Sequence, residues 1–194
     1  MNVMAILMNS DTSLLPGLFK SEDRIRILHS VSLDDMVSVQ TVSVETGVSK
    51  GLASLYLNLL VDYGLFARKN RAFYRRKGDL WRVIKILLNL DLLRPVLHLP
   101  VWARGIGIYG SWARGTNTRD SDLDVWVLVD EYSPELEFRV AESDQDLSKV
   151  TNGPVHSLIL TREKLDFIAS SDKPFYANLI RNQITIEGES LESA

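Results

Sequence analysis

At 194 residues, 45% hydrophobic and 24% charged, the chain has the composition of a globular protein, with room for one large or two small domains. It has no cysteine, which excludes disulfides and thiolate metal sites and suits the cytoplasm. A net charge of −3 argues against wholesale coating of nucleic acid, so any polyanion contact must come from a local patch.

In chain order, residues 1–20 read as an irregular lead-in, and the apolar start Met1–Met8 lacks the basic lead and cleavage site of a signal peptide. Residues 21–30, with Ile25, Ile27 and Leu28 set among charges, predict a short helix. Residues 37–46 predict a second, ending near Gly47. A third starts after Ser49, a good N-cap, runs to about Tyr63 and stops at Gly64. Its Leu52, Leu55, Leu57, Leu59, Leu60 and Val61 are expected to form one buried face. Two short strands then flank Lys69-Asn70-Arg71. This hairpin carries Arg68, Lys69, Arg71, Arg75, Arg76 and Lys77 with no acid among them, a basic patch on an otherwise acidic body. Phe73 and Tyr74 are expected to pack the hairpin onto its domain.

Three helices followed by a hairpin, together with the turn region Val39–Ser54, resemble the winged helix-turn-helix of transcription regulators over about residues 20–78. The resemblance implies binding of double-stranded DNA. Ser49, Lys50, Ser54 and Asn58 would face the major groove, and Arg68, Lys69, Arg71, Arg75, Arg76 and Lys77 would meet phosphates. Six such contacts correspond to a salt slope in log K of about −5. The alternative is a solvated charged face.

Residues 79–93 predict a long helix. Asp79, Arg82, Lys85 and Asn89 form one narrow polar stripe and nearly everything else is apolar, so the helix must be covered on several sides. A second domain, a partner subunit or the monomer itself could supply that cover, and residues 79–99 are expected to be a linker and dimerisation helix, giving a homodimer. The charged residues and Pro95 interrupt the apolar stretch 80–97 too often for a membrane span. Prolines at 95 and 100 end the helix. From there the pattern predicts a strand at 104–110, a short helix from Ser111, a turn and a strand at 123–129. A helix at 134–150, a strand at 155–160, helices at 161–169 and 174–181 and an edge strand at 184–186 follow. The order is a mixed α/β sandwich.

The chemistry concentrates in Gly110-Ser-Trp-Ala-Arg-Gly-Thr-Asn-Thr-Arg-Asp-Ser-Asp-Leu-Asp124. Gly110 and Ser111 sit where a strand meets a helix, a place where backbone N–H groups favour phosphate. Asp122 and Asp124, two apart on a strand, point to one side of the sheet. Two parallel carboxylates repel unless a cation lies between them, and magnesium takes one or two carboxylates plus phosphate oxygens and water.

Gly-Ser, ten residues, then Asp-x-Asp resembles the signature of the DNA polymerase beta-type nucleotidyltransferase superfamily, in its small, minimal form, over roughly residues 100–190. The fold class implied is α+β/mixed: an N-terminal winged helix-turn-helix and a C-terminal α/β nucleotidyltransferase fold with a mixed sheet flanked by helices. The resemblance implies that Gly110, Ser111 and Asp122 and Asp124 bind a nucleoside triphosphate with Mg2+ (or Mn2+) and that a nucleoside monophosphate passes to a hydroxyl. Arg114 is placed to neutralise phosphate. Active members carry a third carboxylate on a neighbouring strand, and here that position falls on His156, either a substitute base or ligand or a plain strand residue. Asp120, Asp130 and Glu131 are further acids that could complete the site.

Overall fold

The computed structural model describes residues 13–192, so Met1–Met8 lies outside the described residues. The chain divides into two compact units, the first reaching to Trp81 and the second beginning at Arg82.

In the first unit, the expected irregular lead-in contains a short helix, α1 (Leu14–Leu18). It is held by tertiary bonds that local sequence cannot announce. Tyr56 donates its hydroxyl to the Leu18 carbonyl at 2.8 Å, and Arg24 donates to the Gly17 carbonyl at 2.7 Å. α2 (Glu22–Ser32) starts on Ser21, whose side chain accepts from the Arg24 N–H, with Glu22 and Asp23 favouring the positive helix start. The next helix begins later than its predicted start at 37. Ser38 is extended and caps α3 (Val39–Thr46), and the preceding residues form a strand, β1 (Met36–Ser38). α4 (Lys50–Asp62) is capped by Ser49. Its buried face is Ala53, Tyr56, Leu57 and Leu60, the spacing of one helical stripe, whereas Leu55 lies off it and is 58% exposed. The hairpin follows as β2 (Phe66–Lys69) and β3 (Ala72–Arg75), turning through Asn70 at φ 56°. β1 pairs antiparallel with β3, giving the order β1-β3-β2. Strand alternation buries Phe73 but exposes Tyr74, so only one of the two aromatics packs the hairpin down.

α5 (Asp79–Leu93) matches its predicted range. The polar stripe divides: Lys85 is 0% exposed and Asn89 is buried with Asn117, whereas Asp79 and Arg82 are exposed, as are Val83 and Leu87. The helix pattern located the stripe and left its direction open, because direction depends on what the stripe meets. The second unit contains β4 (Gly105–Tyr109), α6 (Gly110–Arg114), β5 (Leu123–Leu128), α7 (Pro134–Thr151), β6 (Val155–Leu160), α8 (Arg162–Ser171), α9 (Lys173–Arg181) and β7 (Ile184–Gly188). The sheet order is β6-β5-β4-β7; β5 and β6 are parallel, while β4 is antiparallel to both of its neighbours. α7 makes the crossover that a parallel pair requires. One sheet face, with Ile106, Ile108, Val125 and Val127, packs with Leu93, Trp112, Val140 and Leu147. The other, with Trp126, Leu128 and Leu160, packs with Leu165 and Leu179 of α8 and α9. This is a mixed four-stranded sheet flanked by helices. Among the described residues no helix is long and apolar enough to cross a membrane.

Candidate active site

β4 delivers the chain into Gly110, which holds φ at +68°, a conformation that side-chain-bearing residues seldom adopt. A Cβ there would overlap the Asp124 carboxylate, so only glycine lets backbone and carboxylate come this close. Ser111 follows on α6, half-buried, and its carbonyl accepts from the Thr116 N–H at 2.9 Å. The chain leaves α6 through Gly115 at φ +66° and turns over Thr118–Ser121, where the Ser121 hydroxyl accepts from the Thr118 N–H at 2.8 Å. It enters β5 through Asp122. Leu123 is fully buried, so strand alternation puts Asp122 and Asp124 together on the opposite face.

That face is open only at one end. Along β6, His156 is exposed, Leu158 half-buried and Leu160 buried; along β5, Asp124 is half-buried and Trp126 fully buried. α8 and α9 thus cover the far end of the strands and leave the carboxylates accessible. His156 lies beside Asp124 in the parallel register, and its Nε2 is 3.5 Å from Asp122 Oδ2, with the two side chains 64% and 49% exposed. Burial pushes the Asp124 carboxyl above the ordinary 3.8; His156 and Arg114 pull it back and Asp122 pushes it further. Asp122, Asp124, His156 and Arg114 therefore share one electrostatic neighbourhood.

Tyr109 was not singled out from sequence. It stands opposite Asp124 across the β4–β5 pair, half-buried, and burial followed by Asp124 raises its hydroxyl above 10.0. An aromatic residue ending a buried strand reads as core, and only the pairing register reveals its neighbour.

Asp130 and Glu131 do not complete this site. They lie at the other end of β5, about 20 Å from Asp124 by the strand rise. Asp130 there pairs with Arg104 at 3.0 Å, lining a separate cavity of about 490 Å³. Asp120 is an exposed residue of the turn. No group of three or more carboxylate or histidine side chains is arranged to enclose a metal among the described residues. The close, mutually repelling pair Asp122 and Asp124 fits magnesium carried in on phosphate, which needs one or two carboxylates and not a protein cage.

Residues 99–188 match the family model of the nucleotidyltransferase domain.

No curated protein matches the chain. Among solved structures, a toxin–antitoxin complex with AMP-PNP is 22% identical, covering 56% of this chain and 75% of that one with a TM-score of 0.34. A mutant of the toxin–antitoxin MntA–HpeT is 18% identical, covering 55% and 76% with a TM-score of 0.35.

In the first unit, outside the span that matches the family model, the residues singled out for DNA have unequal freedom. The Ser49 hydroxyl is engaged in capping α4, accepting from the Leu52 N–H at 3.2 Å, while Lys50 is exposed and Ser54 half-buried. Arg68 stacks over Phe73 at 5.5 Å and donates to the Asn70 carbonyl. Arg75 is turned inward, paired with Asp35, donating to the Ser32 carbonyl at 3.0 Å and lying over Trp81. Lys69, Arg71, Arg76 and Lys77 are exposed.

Proposed function

We propose that the nucleotidyltransferase domain binds a nucleoside triphosphate with Mg2+ and transfers its nucleoside monophosphate to a hydroxyl. The observation that carries this reading is the carboxylate pair Asp122 and Asp124 on one sheet face, with the Gly110–Ser111 turn against Asp124, inside the span that matches the domain family. Asp122 and Asp124 would hold magnesium, whose charge would offset that of the triphosphate and of the pyrophosphate released. Gly110, Ser111 and Arg114 bind the phosphates. The acceptor oxygen attacks the α-phosphorus, the bond to the β-phosphate oxygen breaks, and that oxygen leaves with the electron pair as pyrophosphate. His156 accepts the hydroxyl proton. The acceptor is a protein side chain, as in antitoxin-like minimal members of the family, a small molecule or a nucleic-acid end.

In the same reading residues 20–78 form a winged helix that binds double-stranded DNA, residues 79–99 join the domains, and residues 100–190 are catalytic. The arrangement of α2, α3 and α4 followed by the β2–β3 hairpin supports it.

Incubation with α-labelled and γ-labelled nucleoside triphosphates and Mg2+ tests the transfer. The α-label should become acceptor-bound, the γ-label should appear in pyrophosphate, and Asp122→Asn should abolish both. Absence of any metal-dependent nucleotide uptake would falsify the reading. A second reading is favoured by His156, which stands where the resemblance calls for a third carboxylate: the domain senses a nucleotide and the chain is a DNA-binding regulator. Uptake without turnover would select it.

A further inference from the structure

The segment joining Ser111 to Asp122 is held at three points, and two of them are met by α5. At Gly115 the absent side chain admits the Arg82 carbonyl, where a Cβ would collide. At Asn117, which is fully buried, the backbone carbonyl accepts from Lys85 Nζ, and the side-chain amide exchanges bonds with Asn89 at 3.0 and 3.4 Å. Asn89 also donates to the Trp112 carbonyl at 2.8 Å, tying the loop to α6. At Ser121, immediately before Asp122, the carbonyl accepts from the Trp112 indole at 3.4 Å.

A fully buried lysine is rare, because desolvating the ammonium is costly. Replacing a whole buried polar cluster by apolar residues of similar volume is often neutral or stabilising, so stability alone does not explain it. What a polar cluster adds is direction, since each donor fixes one carbonyl of a loop that has no regular structure of its own. The two ends of this loop are the phosphate-contacting turn and the first carboxylate.

We propose that Lys85 and Asn89 are positioning residues for nucleotidyl transfer: they act through Asn117 to hold Ser111 and Asp122 at the separation a metal-bound triphosphate requires. The inference rests on the function proposed above. Neither residue touches the reacting atoms. Transfer is sensitive to them because displacement of a reacting group by about 1 Å costs on the order of 100-fold in rate.

The test uses the full chain carrying Lys85→Met or Asn89→Leu, with Leu147→Ala as a control that opens the core of the same unit away from the loop. Amide hydrogen exchange without nucleotide reads the clamp directly. Residues 116–121 should lose protection relative to β5 in both stripe variants and keep it in the control. In the transfer assay, kcat should fall about 100-fold in Lys85→Met and Asn89→Leu, with a stability loss no larger than that of Leu147→Ala, since each variant orphans buried polar groups around Asn117. Leu147→Ala should lose stability and keep kcat within a few-fold of the parent. Unchanged exchange over residues 116–121 overturns the clamp. Equal kcat losses in the control and the stripe variants overturn the positioning role, since a general structural effect would then account for both. A parent protein that takes up no nucleotide removes the proposed function, and with it the positioning role, whatever the exchange shows.

Discussion

Asp124 carries opposing demands. Its carboxylate lies against the backbone of Gly110 and near that of Asp122, and burial with this repulsion raises its pKa above 3.8. A raised carboxyl favours the protonated form in the folded chain. The resulting stability is complete below the unfolded value and is lost as pH rises through the folded one. Asp124→Asn should therefore raise Tm at pH 7 and leave it nearly unchanged at pH 3, as calorimetry at the two values would show. On the function proposed above, the same variant should lower nucleotidyl transfer on the order of 100-fold or more, because the proposed cation would lose a ligand where charge develops. An Asp124→Asn protein that is less stable at pH 7 would contradict this account of the site. Gly110→Ala should combine the strain of φ +68° with collision against Asp124, costing more than about 1 kcal/mol by denaturant unfolding.

At the scale of elements, the hairpin and α4 divide their polar residues between structure and surface. Arg75 is held by Asp35 and the Ser32 carbonyl, so its removal would disturb the unit as well as any DNA contact. Lys69 and Arg71 at the hairpin tip are exposed and make the cleaner probe. If the first unit binds DNA as proposed, Lys69→Ala with Arg71→Ala should weaken that binding uniformly across sequences. It should also make the salt slope of log K shallower by about 2, at roughly 0.9 per phosphate contact. Unchanged affinity and slope in a two-salt gel-shift series would reject the wing as a phosphate contact. Helix ranges were legible in the sequence because caps and apolar periodicity are local: Ser49 caps its helix as expected, Ser21 and Thr161, read as first helical residues, cap theirs, and α5 spans its predicted residues. β1 was not legible, because three residues become a strand only by pairing with β3.

For the whole molecule, the apolar residues that α5 leaves exposed bear on assembly. With Lys85 and Asn89 turned inward, Val83 and Leu87 remain 59% and 50% exposed on one seam. An apolar helix seam in water is most simply covered by a second copy of itself, as two-fold symmetry permits. Sedimentation should therefore show a dimer of the 194-residue chain and a monomer for Val83→Glu with Leu87→Glu. A monomeric parent would dismiss this interface.

The sequence by itself determined the pieces of the candidate site. Gly-Ser and Asp-x-Asp at their spacing and the strand alternation that puts Asp122 and Asp124 on one face follow from interactions within a few residues. Tertiary structure decided what distant segments bring to those pieces: Tyr109 and His156 beside Asp124, Asp130 removed to the other end of β5, and Lys85 and Asn89 buried beneath the loop. Register and burial depend on contacts between residues far apart in the chain. A polar side chain reads the same in sequence whether it faces water or a buried carbonyl.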